Sequence, residues 1–366
     1  MWKWIILGMV FATGVSILYT AFRLSRTAWF LHLAEKKKIL PFLVCVPAVA
    51  LIALISKWLL GGMSAMLVWI HLLIFLLICD AAALLYGKVR GKTASRTAVF
   101  LCAVLLAAGY LTYGWVSAHR ISRTEYTVES EKVSSPLRIV QVSDAHVGAI
   151  FGGEQFGKSV ERINAEHPDA VVITGDFVDD STPPEDLYAA CEQLGKLKTT
   201  YGVYYVFGNH DRGYYDPADH GWSADDLVRA LEQNGVRVLE DECLEIADGY
   251  LLVGRKDASK REKKAISELL DGKEEAFSIV LDHQPNDTDA EACAGADLVL
   301  CGHTHGGQLF PINYFGEWFG LNDYTYGMHR KGETAVIVSS GIGDWEMKFK
   351  TGCKAEYVVV DVKTKD

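Results

Sequence analysis

Four long apolar runs occupy the first third of the chain, at approximately 4–22, 39–60, 63–86 and 98–118. Each is long enough, as a helix, to cross a hydrocarbon core that takes roughly 20 residues. The pattern then changes. From Leu137 the apolar residues come in short runs, at 137–142, 170–174, 202–207, 277–281, 296–301, 335–339 and 355–362, rich in β-branched and aromatic residues. Such runs predict buried strands. Helix-like segments fall between them at about 154–166, 184–197, 223–234 and 258–271, the third opened by Ser223 with Asp225 and Asp226 behind it. Alternating strands and helices predict an α/β layered domain. Residues 119–136 are dominated by Glu, Ser and Thr and closed by Pro136, and read as a linker. The expected organisation is a four-helix transmembrane region over 1–118, the linker, and a second domain over 137–366.

Charge adds an orientation. The loop after the first span carries Arg23, Arg26, Lys36, Lys37 and Lys38, and the loop after the third carries Lys88, Arg90, Lys92 and Arg96. Cytoplasmic loops are enriched in Lys and Arg, so both belong in the cytoplasm and the C-terminal domain on the extracytoplasmic side of a cell membrane. Arg23 and Arg26 follow the first span directly, without a clean cleavage site, which favours a retained helix over a signal peptide. Asp80 and His71 lie inside the third span, with Asp80 near enough to its end to reach the interface. Residues 1–118 hold 11 Lys and Arg against two acidic residues, whereas the remainder holds 25 against 44. That acidic remainder excludes broad nucleic-acid binding, which needs a basic footprint. None of the eight cysteines has CxxC spacing, so they read as small buried hydrophobes, with one disulfide among the C-terminal five left open.

Candidate chemistry gathers where the strands end. Five runs pass directly into Ser143-Asp144-Ala145-His146, Gly175-Asp176-Phe177-Val178-Asp179, Gly208-Asn209-His210-Asp211, Asp282-His283 and Gly302-His303-Thr304-His305-Gly306-Gly307. Ligand sites of α/β sheets collect at the carboxyl ends of strands. Singly, each cluster reads as a loop or turn; in order and in equivalent positions they predict a metal centre. Histidine and carboxylate donors suit zinc, iron or manganese. A carboxylate such as Asp176 has two oxygens and can bridge two ions, and a close pair of ions can clamp a phosphoryl group and generate a hydroxide nucleophile.

These five motifs resemble those of the calcineurin-like metallophosphoesterase superfamily over roughly residues 137–345. The resemblance implies a four-layer αββα sandwich and a phosphoric ester hydrolase that uses two divalent ions. It assigns Asp144, His146 and His305 to one ion, Asn209, His283 and His303 to the other, and Asp176 to both. It gives His210 the role of general acid and Asp179 that of orienting His210, for which Asp180 and Asp211 compete. Two departures matter: protein Ser/Thr phosphatases carry Arg at the position of Asp180 and Glu at that of Asp211. The extended Gly-His-Thr-His-Gly-Gly-Gln308 instead resembles a membrane-associated, phosphodiesterase-like subgroup, some of whose members act on lipid-linked or nucleotide-sugar phosphoesters. The aromatic stretch 309–332 reads either as a substrate- or lipid-contacting loop, with Trp318, Tyr324 and Tyr326 as its test residues, or as ordinary packing. A metal-binding receptor or scaffold without turnover is the competing function, and a channel or transporter with a regulatory esterase domain a further one.

Overall fold

The computed structural model describes residues 2–260 and 262–365. Two compact units emerge, Met1–Trp115 with Glu346–Phe349, and Val116–Trp345 with Lys350–Asp366. Among the described residues, four helices, Trp2–Ser25, Leu40–Leu60, Gly62–Arg90 and Arg96–His119, are long and apolar enough to cross a membrane, and the last of them runs on into the second unit. Many outward side chains, such as Leu54, Trp58 and Leu84, are large, apolar and exposed, as lipid-facing positions require. The third helix stops at Gly91, whose left-handed φ of 65° suits a residue without Cβ. Asp80 is paired: Arg23 lies 2.6 Å from it and the Tyr19 hydroxyl donates to it. A charge inside a span needs such a partner.

Among the described residues, the second unit contains twelve strands: β1 (Ser122–Ser130), β2 (Leu137–Val142), β3 (Ala170–Thr174), β4 (Gly202–Val206), β5 (Val236–Val238), β6 (Glu242–Ala247), β7 (Tyr250–Gly254), β8 (Phe277–Leu281), β9 (Leu298–Cys301), β10 (Gly327–Lys331), β11 (Thr334–Val338) and β12 (Glu356–Thr364). They form two six-stranded sheets, ordered β1-β12-β2-β3-β4-β5 and β10-β11-β9-β8-β7-β6. Strand periodicity makes the layers, because alternate residues face opposite ways. Ile139, Val172 and Val206 of the first sheet meet Leu252, Ile279 and Leu300 of the second in one core. On the outer face of the first sheet, Val140, Val171 and Tyr205 pack on Phe156, Leu187 and Leu227 of the flanking helices. On that of the second, Val280 and Val299 pack on Ile266 and Leu270. The four-layer αββα arrangement is therefore present.

Two expectations fail. The stretch read as a linker contains β1, whose nine residues pair in parallel with β12. Its exposed partners Arg123, Glu125 and Glu129 make it look like solvated coil, but it is an edge strand, where charged side chains are favoured. The helix expected over 258–271 shrinks to Ile266–Leu270. Just before it, Lys263 reaches the Asp282 carboxylate at 2.6 Å. No cysteine is paired in a disulfide among the described residues, and Cys191, Cys301 and Cys353 are buried as small hydrophobes.

Candidate metal centre

Parallel pairing decides where the motifs go. Strands β2, β3 and β4 run in parallel, as do β8, β9 and β11. Their carboxyl ends therefore share one edge of each sheet, and the loops beyond them cross from sheet to sheet. The Asp144 carboxylate accepts from the His303 backbone N–H at 3.0 Å, and the His283 ring nitrogen Nδ1 contacts the Thr174 carbonyl at 2.7 Å. Gly302 allows the first contact, since a Cβ there would overlap Ser143 and Asp144. Gly208 allows a second approach in the same way, beside the Asp176 carboxylate.

Two donor clusters result. Asp144, His146 and His305 form one, and Asp176, His283 and His303 the other, with the offered ligand atoms of each within 4.8 Å of one another. Asp176 joins them: its Oδ2 lies 3.1 Å from His283 Nε2 and 3.8 Å from His146 Nε2. His146 Nε2 and Asn209 Oδ1 are buried without a hydrogen-bond partner. An unpartnered buried polar atom costs about 1–3 kcal/mol, so two of them beside the donor clusters fit a cation that satisfies them together. The backbone agrees. Asp144, His146, Asp176, His303 and His305 all have positive φ, between 40° and 69°. Such strain in residues other than glycine concentrates at functional sites.

The electrostatics fit as well. Burial pushes the His303 imidazole down to about 4 and holds His305 well below its usual value, leaving both neutral, the form that ligates a metal. Burial also resists charge on Asp176 and His283, but their mutual attraction outweighs it, holding the carboxyl well below and the imidazole well above its usual value. A proton on that imidazole occupies the lone pair a metal ion would use, so binding would release it.

The carboxylate at 179 has another partner than expected. Asp179 contacts His146 Nδ1 at 2.8 Å, not His210. This leaves His146 Nε2 turned towards the cluster and fixes the ring's orientation. Its competitors for the role do other work. Asp211 accepts from the backbone N–H groups of Asp176, Phe177, Val178 and Gly208, and so pins the second motif to the third. Asp180 accepts from the N–H groups of Tyr214 and Tyr215. Asp282 pairs with buried Arg255 at 2.9 Å. His210 sits at the mouth of the site, its N–H on Asp176 Oδ1 at 2.8 Å and its ring against His146, Tyr214 and Trp345. Burial pushes its imidazole below the ordinary value. We predict that Asp179→Asn weakens binding of the ion on the Asp144 side by about 10- to 100-fold. Titrating metal-free protein with Mn²⁺ by calorimetry tests this; an unchanged affinity would return Asp179 to another role.

Three contributors escape a reading of the five motifs. Asp344 is fully buried, accepts from Gln308 Nε2 at 2.6 Å and lies 3.4 Å from His305 Nδ1, where it matches Asp179 across the cluster. It follows β11 through Gly341 and Gly343, so a sixth strand end repeats the signal of the other five. Tyr214, whose hydroxyl accepts from Asn209 Nδ2 at 2.8 Å, and Trp345 carry no such signal.

Comparison with known proteins shows the family of the chain. A profile for the calcineurin-like phosphoesterase family matches residues 137–307. The uncharacterised metallophosphoesterase YkuE of Bacillus subtilis is 30% identical over 71% of this chain and 94% of its own length. A transmembrane protein with metallophosphoesterase domain from Danio rerio is 31% identical over 71% of this chain, which covers 62% of that protein. An uncharacterised metallophosphoesterase of Campylobacter jejuni is 31% identical over 65% of this chain, and again 62% of the relative is covered. Among solved structures, TT1561 of Thermus thermophilus aligns at 16% identity, over 57% of this chain and 90% of its own, with a TM-score of 0.36. The match to YkuE spans nearly all of that relative, and the chain belongs to the calcineurin-like metallophosphoesterase family.

Proposed function

We propose that the protein is a membrane-anchored phosphoesterase that uses two divalent ions and prefers phosphodiesters, with its second unit outside the cytoplasm. The observation that carries this reading is the pair of donor clusters joined by Asp176. Asp144, His146 and His305 would hold one ion, Asn209, His283 and His303 the other, and Asp176 both. Ions so placed supply an activated water and neutralise charge on the phosphoryl group. The remaining work falls to the chain. Asp179 and Asp344 keep His146 and His305 in position, and Asp211 keeps Asp176 against the third motif. His210 donates a proton or hydrogen bond to the leaving oxygen. The arriving anion favours its protonated form, offsetting the burial that lowers it.

Preference for a diester is supported by two carboxylates beside the site. Asp179, buried against His146, and Asp180, at the Tyr214 turn, add negative charge there, which disfavours a dianionic monoester more than a monoanionic diester. The basic loops after the first and third spans support the orientation. The test uses the purified full chain, stripped of metal and supplied with Mn²⁺ or Zn²⁺, on aryl phosphodiesters and monoesters. Metal-restored turnover with the diester ahead by about tenfold is expected. No turnover of either ester with any divalent ion would leave a metal-binding scaffold as the better account.

A further inference from the structure

Beyond the metal centre, apolar surface is concentrated in one place. After His119, the exposed large apolar side chains outside residues 310–321 are tyrosines, at 188, 201, 214 and 215, among the described residues. Within 310–321, Phe310, Ile312, Phe315, Trp318, Phe319 and Leu321 are all exposed, with Trp318 at 67% and Phe319 at 71%. The polar groups of the same segment point the other way. Asn313 is buried and Glu317 Oε1 accepts from the Thr325 N–H at 2.7 Å; just past the segment, Asn322 Nδ2 donates to the Tyr324 carbonyl at 2.7 Å. The loop is therefore inverted, with its hydrogen bonds spent inward and its apolar side chains outward. It is also well anchored: the Thr304 hydroxyl donates to the Thr325 carbonyl at 2.6 Å, and the Phe310 N–H donates to the Thr351 hydroxyl at 3.1 Å. Of the three aromatics singled out from the sequence, only Trp318 belongs to this surface. Tyr324 stacks on His329, and Tyr326 bonds to Glu356.

We propose that residues 310–321 are a membrane-contacting element that enters the headgroup and acyl boundary of the bilayer. Exposed apolar patches of this kind mark interaction surfaces. The chemistry selects the occupant. Tryptophan and tyrosine on an outward face, beside phenylalanine, match the interfacial layer, where the first two are enriched. A chain with four bilayer-length helices is held beside that phase permanently. Phe310 follows His305 by five residues, so the loop begins within about 18 Å of a candidate metal ligand. Resting on the proposed phosphoesterase reading, the contact selects phosphoesters whose leaving or retained group is a lipid, presented at headgroup level.

The test places a photoreactive residue, Phe319→benzoylphenylalanine or Leu321→benzoylphenylalanine, in the full chain reconstituted in phosphatidylcholine and phosphatidylglycerol nanodiscs. The same label at Tyr201, which precedes β4 and lies at the opposite strand edge, serves as control. Irradiation is expected to add the mass of one phospholipid at position 319 or 321, in at least about tenfold greater yield than at 201. Water quenching alone, or a crosslink to a second copy of the chain, overturns the proposal. A lipid adduct on a chain with no phosphoesterase activity overturns the enzymatic reading and leaves the membrane contact standing; turnover without an adduct does the reverse. In an active chain, Trp318→Ser with Phe319→Ser should lower kcat/KM on a lipid-borne phosphodiester by at least about tenfold and spare a soluble aryl diester. Equal loss on both would show that the segment serves packing, not lipid.

Discussion

Asp176→Asn is expected to leave the protein folded and, on the proposed two-ion reading, to bind one divalent ion in place of two and to lower phosphodiester turnover by on the order of 10³-fold. The reason is the position of one oxygen. Asp176 Oδ2 faces His283 and His146 at 3.1 and 3.8 Å, so it is the atom shared between the clusters. Its Oδ1 accepts from the His210 N–H at 2.8 Å. An asparagine can keep that hydrogen bond through its carbonyl, but must turn an NH₂ group towards two imidazoles and an ion. Charge and coordination are lost together, with little change in volume. Metal content after dialysis and turnover of an aryl diester measure the two effects, and thermal melting checks the fold. Two ions bound with near-normal turnover would remove Asp176 from the bridging position.

Much of this site can be read along the chain because its residues are local to strand ends. A buried strand announces itself by β-branched residues, and Gly-Asp, Gly-Asn-His or Gly-His-Thr-His at its carboxyl end is a short-range signal. Parallel pairing then brings the ends together without further information. What cannot be read is which side chain meets which. Asp179, Asp180 and Asp211 are interchangeable on paper, yet one contacts His146, one braces the Tyr214 turn and one gathers four backbone N–H groups. Those partners are set by how loops from different strands cross, and no local pattern encodes it. Strand β1 was hidden for another reason. Its alternation of Thr124, Tyr126 and Val128 with Arg123, Glu125 and Glu129 is a half-buried edge, whose polar half resembles a linker. The positive φ of five candidate ligands is likewise invisible, since Asp and His do not advertise a left-handed backbone as glycine does.

His210→Ala should separate binding from proton donation. The histidine ring touches His146, Tyr214 and Trp345 and lies beside, not within, the two donor clusters. Its removal should therefore leave both ions bound. The backbone N–H that reaches Asp176 survives the substitution, so the third motif keeps its place. On the proposed reading, what goes is the donor for the departing oxygen, an effect of about 10²- to 10⁴-fold for a positioned acid. The size depends on the leaving group. An alkoxide needs a proton as the bond to phosphorus breaks, and the loss should approach the upper figure with alkyl diesters. A p-nitrophenolate is stable as an anion, and there the loss should stay within about tenfold. A series of diesters of graded leaving-group pKa, assayed with wild-type protein and the variant, reads this as a steeper dependence of log kcat on pKa in the variant. Parallel lines would mean that His210 holds the phosphoryl group without protonating what leaves. An intact response, with no loss at any leaving group, would put the acid elsewhere at the mouth of the site, and Tyr214, on its edge, would be the next residue to change.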